Sequence, residues 1–218
     1  MIEEDLQITV NDRNLAAIKV LPDGQESGCV LVYAPGAGSN LHDPFGKYLA
    51  QHLADSGVST VRFQFPYMVD RKRRPDPPRV LEETWREVIR TVRPTSGKLV
   101  IGGRSMGGRI ASQVVAQGTA VDGLALFAYP LHPPSNPEKR RDGHLPNINV
   151  PVLFCSGTRD SFATAEELEA AASILPKAVI HQLEGADHGF AVLKSSGRTR
   201  TEVWTEAADS LLSWLSKI

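Results

Sequence analysis

The chain is poor in cysteine, in net charge and in long apolar runs, and each shortage excludes something. Only two cysteines, Cys29 and Cys155, occur in 218 residues. Both fall in apolar, strand-like runs, so they read as buried thiols, not as a disulfide framework or a metal site. Lys and Arg together number 24 and Asp and Glu 25, a formal net charge of −1. No overall field therefore favours nucleic acid or an anionic membrane surface. No apolar run approaches the ~20 residues that a membrane span needs. The N-terminus, Met1-Ile2-Glu3-Glu4-Asp5, is acidic and lacks the apolar core of a signal peptide. A reducing cytoplasm is the expected setting. No His/Cys/Asp/Glu cluster has metal-ligand spacing, so neither metal nor cofactor is expected. The phosphate-loop pattern Gly-x-x-x-x-Gly-Lys-Ser/Thr is missing. Gly-x-Gly-x-x-Gly fails as well, because Arg104 or Ser105 stands where its second glycine belongs. Repeats and low-complexity segments are absent too. The basic run Arg71-Lys72-Arg73-Arg74 is short, without interleaved aromatics and followed by Pro75, Pro77 and Pro78, and it reads as a solvated loop. What remains is one globular domain over residues 1–218, 41% hydrophobic and large enough for a substantial core.

Within that domain one stretch stands out. Leu99 to Ile101 is a short apolar run that reads as a buried strand. Gly103-Arg104-Ser105-Met106-Gly107 follows, a Gly-x-Ser-x-Gly turn. Ile110, Ala111, Val114 and Val115 then recur at helical spacing up to Gly118. A serine on a tight strand-to-helix turn projects its hydroxyl away from the sheet. Gly103 and Gly107 remove the Cβ atoms that would clash as strand and helix close on each other. The backbone N–H of Met106 points out of the first helical turn, where developing negative charge is favoured. By itself such a turn could carry a reactive serine or cradle a phosphate.

The rest of the chain narrows this choice. Leu6–Val10 and Leu15–Val20 alternate apolar and polar residues about Asn11-Asp12-Arg13-Asn14, which predicts an antiparallel hairpin. Cys29–Tyr33 is apolar on both faces and predicts a central strand; a loop of small residues, Ala34-Pro35-Gly36-Ala37-Gly38-Ser39, follows it. A helix is expected over Pro44–Ser56, a strand over Val58–Phe63, a helix over Val80–Val92 and a strand over Gly123–Ala128. Tyr129 to Asn149 carries five prolines and no helical period, so it reads as a surface loop that leaves little room for a helical lid. A strand over Val152–Ser156, a helix over Thr164–Ile174, a strand over Ala178–Leu183 and a C-terminal helix bearing Val203, Ala207, Leu211 and Trp214 complete the chain. Strands alternating with helices predict an α/β fold: a mainly parallel sheet with an N-terminal antiparallel hairpin and helices on both faces. Ligands of such sheets bind beyond the carboxyl ends of the strands.

Three residues are predicted at three such ends: Ser105, Asp160 and His188, in that chain order. A serine hydroxyl is a poor nucleophile at neutral pH. An imidazole can take its proton, and a carboxylate can hold that imidazole in the right tautomer and stabilise its cation. Asp187 is a rival acid, but it adjoins His188 and would have to fold back on its neighbour. His42 and His132 follow strands and could line the mouth of the site, whereas His181 lies within a strand. Arg104 and Arg109 flank Ser105, where they could reach solvent, a structural acid or an acidic group on a substrate. Trp85 and Trp214 sit at core spacing, with Trp204 beside them.

Several longer blocks carry a resemblance over nearly the whole chain. They are Ala34-Pro35-Gly36-Ala37-Gly38, Arg62-Phe63-Gln64-Phe65-Pro66-Tyr67, Gly102 to Arg109, Tyr129-Pro130-Leu131-His132-Pro133-Pro134, Gly157-Thr158-Arg159-Asp160 and Gly185-Ala186-Asp187-His188. The sequence resembles the α/β hydrolases and, among them, the small lid-less dienelactone-hydrolase-like group. It is most similar to the branch named for a testis-expressed protein and a subunit of the non-specific-lethal histone acetyltransferase complex. The resemblance implies the α/β-hydrolase fold, with Ser105 as nucleophile, Asp160 as acid and His188 as base. It also implies an oxyanion hole formed by the backbone N–H groups of Met106 and Ala37, with Gly36, Tyr67, Arg104 and His132 as substrate-binding candidates. Two departures from the family pattern stand out. Pro35-Gly36 replaces the usual His-Gly, and Ser105 stands where dienelactone hydrolases use cysteine, which argues against dienelactone as substrate. The implied function is cleavage of a small-molecule carboxylic ester or thioester through an acyl-enzyme, without nucleic-acid or membrane partners. The alternative is a catalytically silent binding or scaffold protein on the same fold.

Overall fold

The computed structural model describes residues 1–218, built on one eight-stranded sheet. The hairpin is longer than the alternation predicted: β1 spans Ile2–Val10 and β2 Arg13–Leu21. They pair antiparallel through a two-residue turn in which Asn11 and Asp12 both adopt left-handed backbone, φ 46° and 62°. Asn and Asp tolerate that conformation, and its twist matches the strands. The exposed outer residues of β1 carry no alternating signal, which is why the pattern understated its length.

The chain continues through β3 (Cys29–Ala34), α1 (Pro44–Asp55), β4 (Ser59–Phe63), the short α2 (Pro66–Val69), α3 (Pro78–Val92), β5 (Lys98–Arg104) and α4 (Met106–Ala116). Next come β6 (Gly123–Phe127), β7 (Val152–Gly157), α5 (Ala165–Ser173), β8 (Ala178–Leu183) and α6 (Arg200–Leu215). The strand order is β1-β2-β4-β3-β5-β6-β7-β8, and β4, β3 and β5 to β8 run parallel. The chain passes from β3 outward to β4, then returns to β5 on the other side of β3. The carboxyl ends of β3 and β5 thus flank the point where the winding reverses, where such sheets open a crevice.

Alternate residues of each strand serve opposite faces. Leu99 and Ile101 of β5 belong to the same buried layer as Trp85 of α3, Ile110 of α4 and Leu168 of α5; Val100 belongs to the opposite layer, with Phe45 of α1 and Leu211 of α6. The core therefore lies in two layers, one on each side of the sheet. α5 and α6 each begin with a capping box, built by Thr164 with Glu167 and by Thr199 with Glu202. Cys29 and Cys155 are buried and unpaired, and burial pushes their thiols up to about 11 and about 12. No helix is long and apolar enough to cross a membrane.

The segment from Tyr129 to Asn149 corrects one expectation. It is not simply a surface loop. It folds back on itself, the Arg141 N–H donating to the Leu131 carbonyl at 2.8 Å, and Tyr129, Leu131, Leu145 and Ile148 are buried in the layer with α3 and α4. Its prolines break any period, so no pattern announces which residues turn inward. Its only helical piece is the 3-10 turn Leu145–Asn147, so no helical lid forms.

Candidate active site

The turn after β5 is shaped by close approach. Ser105 sits at φ 52°, ψ −118°, in a sparsely populated region for a side-chain-bearing residue. Such strain costs about 1–3 kcal/mol and persists only where the surroundings enforce it. They do so here. The Ser105 N–H donates to the Phe127 carbonyl at 2.8 Å, and the Trp85 indole N–H donates to the Gly107 carbonyl at 3.2 Å. A Cβ on Gly103 would stand 2.1 Å from the Ala34 carbonyl oxygen, and one on Gly107 2.3 Å from the same atom. Glycine at both positions lets β5 and α4 close against the end of β3.

Ser105, Asp160 and His188 come together as predicted. His188 Nδ1 lies 2.8 and 3.0 Å from the two oxygens of Asp160, and His188 Nε2 lies 2.9 Å from Ser105 Oγ. A carboxylate only accepts, so its position puts the imidazole proton on Nδ1 and leaves Nε2 free to take the serine proton. Asp160 is buried, and its Oδ1 also accepts the Phe162 N–H at 2.8 Å. Asp187 turns the other way. Its Oδ1 accepts the N–H groups of Gly189 at 2.7 Å and Ala191 at 2.9 Å, which ties up the loop that carries His188.

A cleft of about 620 Å³ opens over Ser105, and Gly36, Ala37, Met106, Arg104, Arg109 and His188 are on its walls. A Cβ on Gly36 would stand 3.5 Å from the Ser105 Cβ, so this backbone lies directly against the serine. The N–H groups of Ala37 and Met106 make no hydrogen bond within the protein. They border the cleft from two different elements, an arrangement able to receive an oxyanion.

The remaining candidates divide. Arg104 lines the cleft but is engaged: it donates to the His188 carbonyl at 3.3 Å and lies 3.8 Å from Asp43. Tyr67 and His132 do not line the cleft, contrary to the expectation for substrate-binding residues. The Tyr67 hydroxyl donates to the Ala37 carbonyl at 2.9 Å and so braces the loop from behind. The buried His132 lies 2.9 Å from both the Pro133 carbonyl and Glu167, and those acceptors, the carbonyl foremost, raise its pKa. Position after a strand told nothing about which way either ring would point. His42 also lies away from the cleft, and His181 pairs with Glu206 at 3.0 Å.

Sequence reasoning missed three cleft residues. Phe162 stacks on the His188 ring, centroids 4.0 Å apart, and closes one side of it. Its only signal was an aromatic two residues past the acid. Asp43, buried, accepts from the Tyr33 hydroxyl at 2.6 Å and the Gly46 N–H at 2.9 Å. Arg141 arrives from the folded-back loop, which has no pattern to reveal it.

A family model described as an alpha/beta hydrolase domain matches residues 27–216. Among solved structures, an alpha-beta serine hydrolase homologue from Coxiella burnetii superposes with a TM-score of 0.78 at 22% identity, covering 97% of this chain and 98% of the other. A lid-less a/b serine hydrolase from Xanthomonas campestris gives 0.76 at 17% identity, covering 97% and 94%. A dienelactone hydrolase from Anabaena variabilis gives 0.70 at 21% identity, covering 95% of each chain. At these identities the likeness lies in the fold.

Proposed function

The chain belongs to the alpha/beta hydrolase family, and from that premise we propose that it is a serine hydrolase cleaving carboxylic esters or thioesters. One observation carries this reading: the unbroken hydrogen-bonded line from Asp160 through His188 to Ser105. In the proposed reaction Ser105 Oγ attacks the substrate carbonyl while His188 Nε2 takes its proton. Asp160 stabilises the imidazolium, and the Ala37 and Met106 N–H groups receive the oxyanion. His188 returns the proton to the leaving alcohol or thiol. Water, deprotonated by His188, then releases the acyl group from Ser105. The absence of a helical lid supports an open site suited to short or exposed acyl groups.

The sequence blocks around Gly36, Tyr67, Ser105 and His132 support membership of the branch named for a testis-expressed protein and a non-specific-lethal complex subunit. The single sheet supports one domain, and the two unpaired thiols support a reducing cytoplasm. A fluorophosphonate probe tests the reaction class. It should add to Ser105, as read by peptide mass, and Ser105→Ala should not be labelled. Failure of the wild-type protein to label, together with no ester turnover, would favour a silent scaffold instead.

A further inference from the structure

We propose that the substrate carries a carboxylate a few bonds from the reacting carbonyl, and that Arg109 and Arg141 bind it. The proposal rests on Ser105 being the nucleophile. Arg109 lies one helical turn beyond Ser105 on α4, its N–H donating to the Ser105 carbonyl at 3.0 Å. Ser105 and Arg109 line the same cleft. Arg141 reaches the same cleft from the folded-back loop between β6 and β7.

What sets these two apart is their lack of partners. Arg62 donates to the Leu41 carbonyl at 2.9 Å, and Arg104 to the His188 carbonyl at 3.3 Å. Arg62 also lies near Glu3, and Arg104 near Asp43. The Nε atoms of Arg62, Arg104 and Arg109 are all shielded from solvent without a partner, but Arg109 alone of the three has no hydrogen bond or ion pair from its terminal nitrogens either. Arg141 is only half-exposed, and its side chain makes neither an ion pair nor a hydrogen bond within the protein. Asp43 is the one acid on the cleft wall, and Tyr33, Gly46 and Ser39 already occupy its oxygens. Burial, and with it the adjacent Arg141 charge, depresses the Arg109 pKa. Two neighbouring cations thus face a cleft with no free counter-charge.

A bound carboxylate resolves this arrangement. It supplies planar acceptors to guanidinium forks and neutralises charge in a partly desolvated site. The exposed Arg71 and Arg73 line an adjoining hollow beyond Ala37 and Gly38, adding positive potential where an anion would approach, whereas Lys72 beside them is paired with Asp70. Because Ser105, Arg109 and Arg141 line one cleft, the carboxylate belongs on a short chain, such as the far end of a dicarboxylic half-ester.

The test compares kcat/KM for 4-nitrophenyl hemiglutarate with that for 4-nitrophenyl valerate, its neutral analogue of equal length. A third ester, 3-carboxy-4-nitrophenyl valerate, puts the anion on the leaving group instead. The wild-type protein should prefer at least one anionic ester over the neutral one by ~10-fold or more, and which one identifies the side of the bond that Arg109 and Arg141 serve. Arg141→Gln should remove most of that preference, a loss of ~10-fold, with Arg141→Lys recovering part of it. Arg109→Gln should do likewise, and a thermal melt checks that it folds; the loop position of Arg141 keeps the test valid if it does not. Equal or better use of the neutral ester by wild type, or an unchanged preference in Arg141→Gln, would overturn the carboxylate site while leaving the hydrolase reading intact. Undiminished turnover of all three esters by Ser105→Ala would instead remove the nucleophile on which both depend.

Discussion

On one side of the cleft, Asp160 and His188 have partners for every side-chain nitrogen and oxygen; on the other, Arg109 and Arg141 have none for their side chains. The satisfied side is finished before any ligand arrives. Asp160 is fixed by the Phe162 N–H, and His188 is stacked beneath the Phe162 ring and bonded at both nitrogens. The unsatisfied side bears charge that the fold does not answer. Buried polar groups are nearly always paired in native proteins, so an unpaired cation on the cleft beside Ser105 points outward, to what binds there.

Substitutions on the finished side should have the largest effects. Ser105→Ala should lower turnover of an aryl ester by a factor on the order of 10⁴ to 10⁶. Asp160→Asn should lower it by roughly 10³ to 10⁴, because an amide at that position no longer enforces the imidazole tautomer. The same exchange at Asp187 sharpens the contrast. Its oxygen accepts only from backbone N–H groups, which an amide oxygen can also accept, so Asp187→Asn should cost less than about 10-fold. Equal losses at the two aspartates would erase the distinction between them.

A smaller effect lies behind the unsatisfied side. His144 Nε2 stands 2.7 Å from Ser112 Oγ, and burial, with the Arg109 charge, holds its pKa down from 6.5 to about 4. In the unfolded chain this imidazole takes up a proton near 6.5; in the fold it resists until about 4. Its contribution to stability is therefore full above 6.5 and lost as pH falls toward 4. The urea midpoint of His144→Gln should fall less steeply across that window than that of the wild type. An identical slope would show that other groups govern the acid limb. Smallest of all, Thr164→Ala should destabilise the protein by about 1 kcal/mol through loss of the α5 cap, with kcat unchanged.

The two sides also differ in how far the sequence revealed them. Ser105 was legible because Gly103 and Gly107 serve a steric need that leaves a mark in the residue pattern. Asp160 and His188 were legible because each follows an apolar strand, and strand ends of a parallel sheet converge. Arg141 and the buried part of Tyr129–Asn149 were not. That segment is held by a backbone hydrogen bond to Leu131 and by prolines, neither of which imposes a hydrophobic period. Tyr67 and His132 illustrate a different gap. The pattern brought them to the correct end of the sheet, but their orientation depends on the Ala37 carbonyl and on Glu167, groups distant in sequence.

The most direct measurement mixes excess 4-nitrophenyl acetate with the protein, follows the first turnover, and quenches it in acid for peptide mass analysis. A stoichiometric burst of nitrophenolate is expected, with the acetyl group on the Ser105 peptide, and no burst in Ser105→Ala. An acetyl group on another residue, or a burst that survives in Ser105→Ala, would contradict Ser105 as the nucleophile.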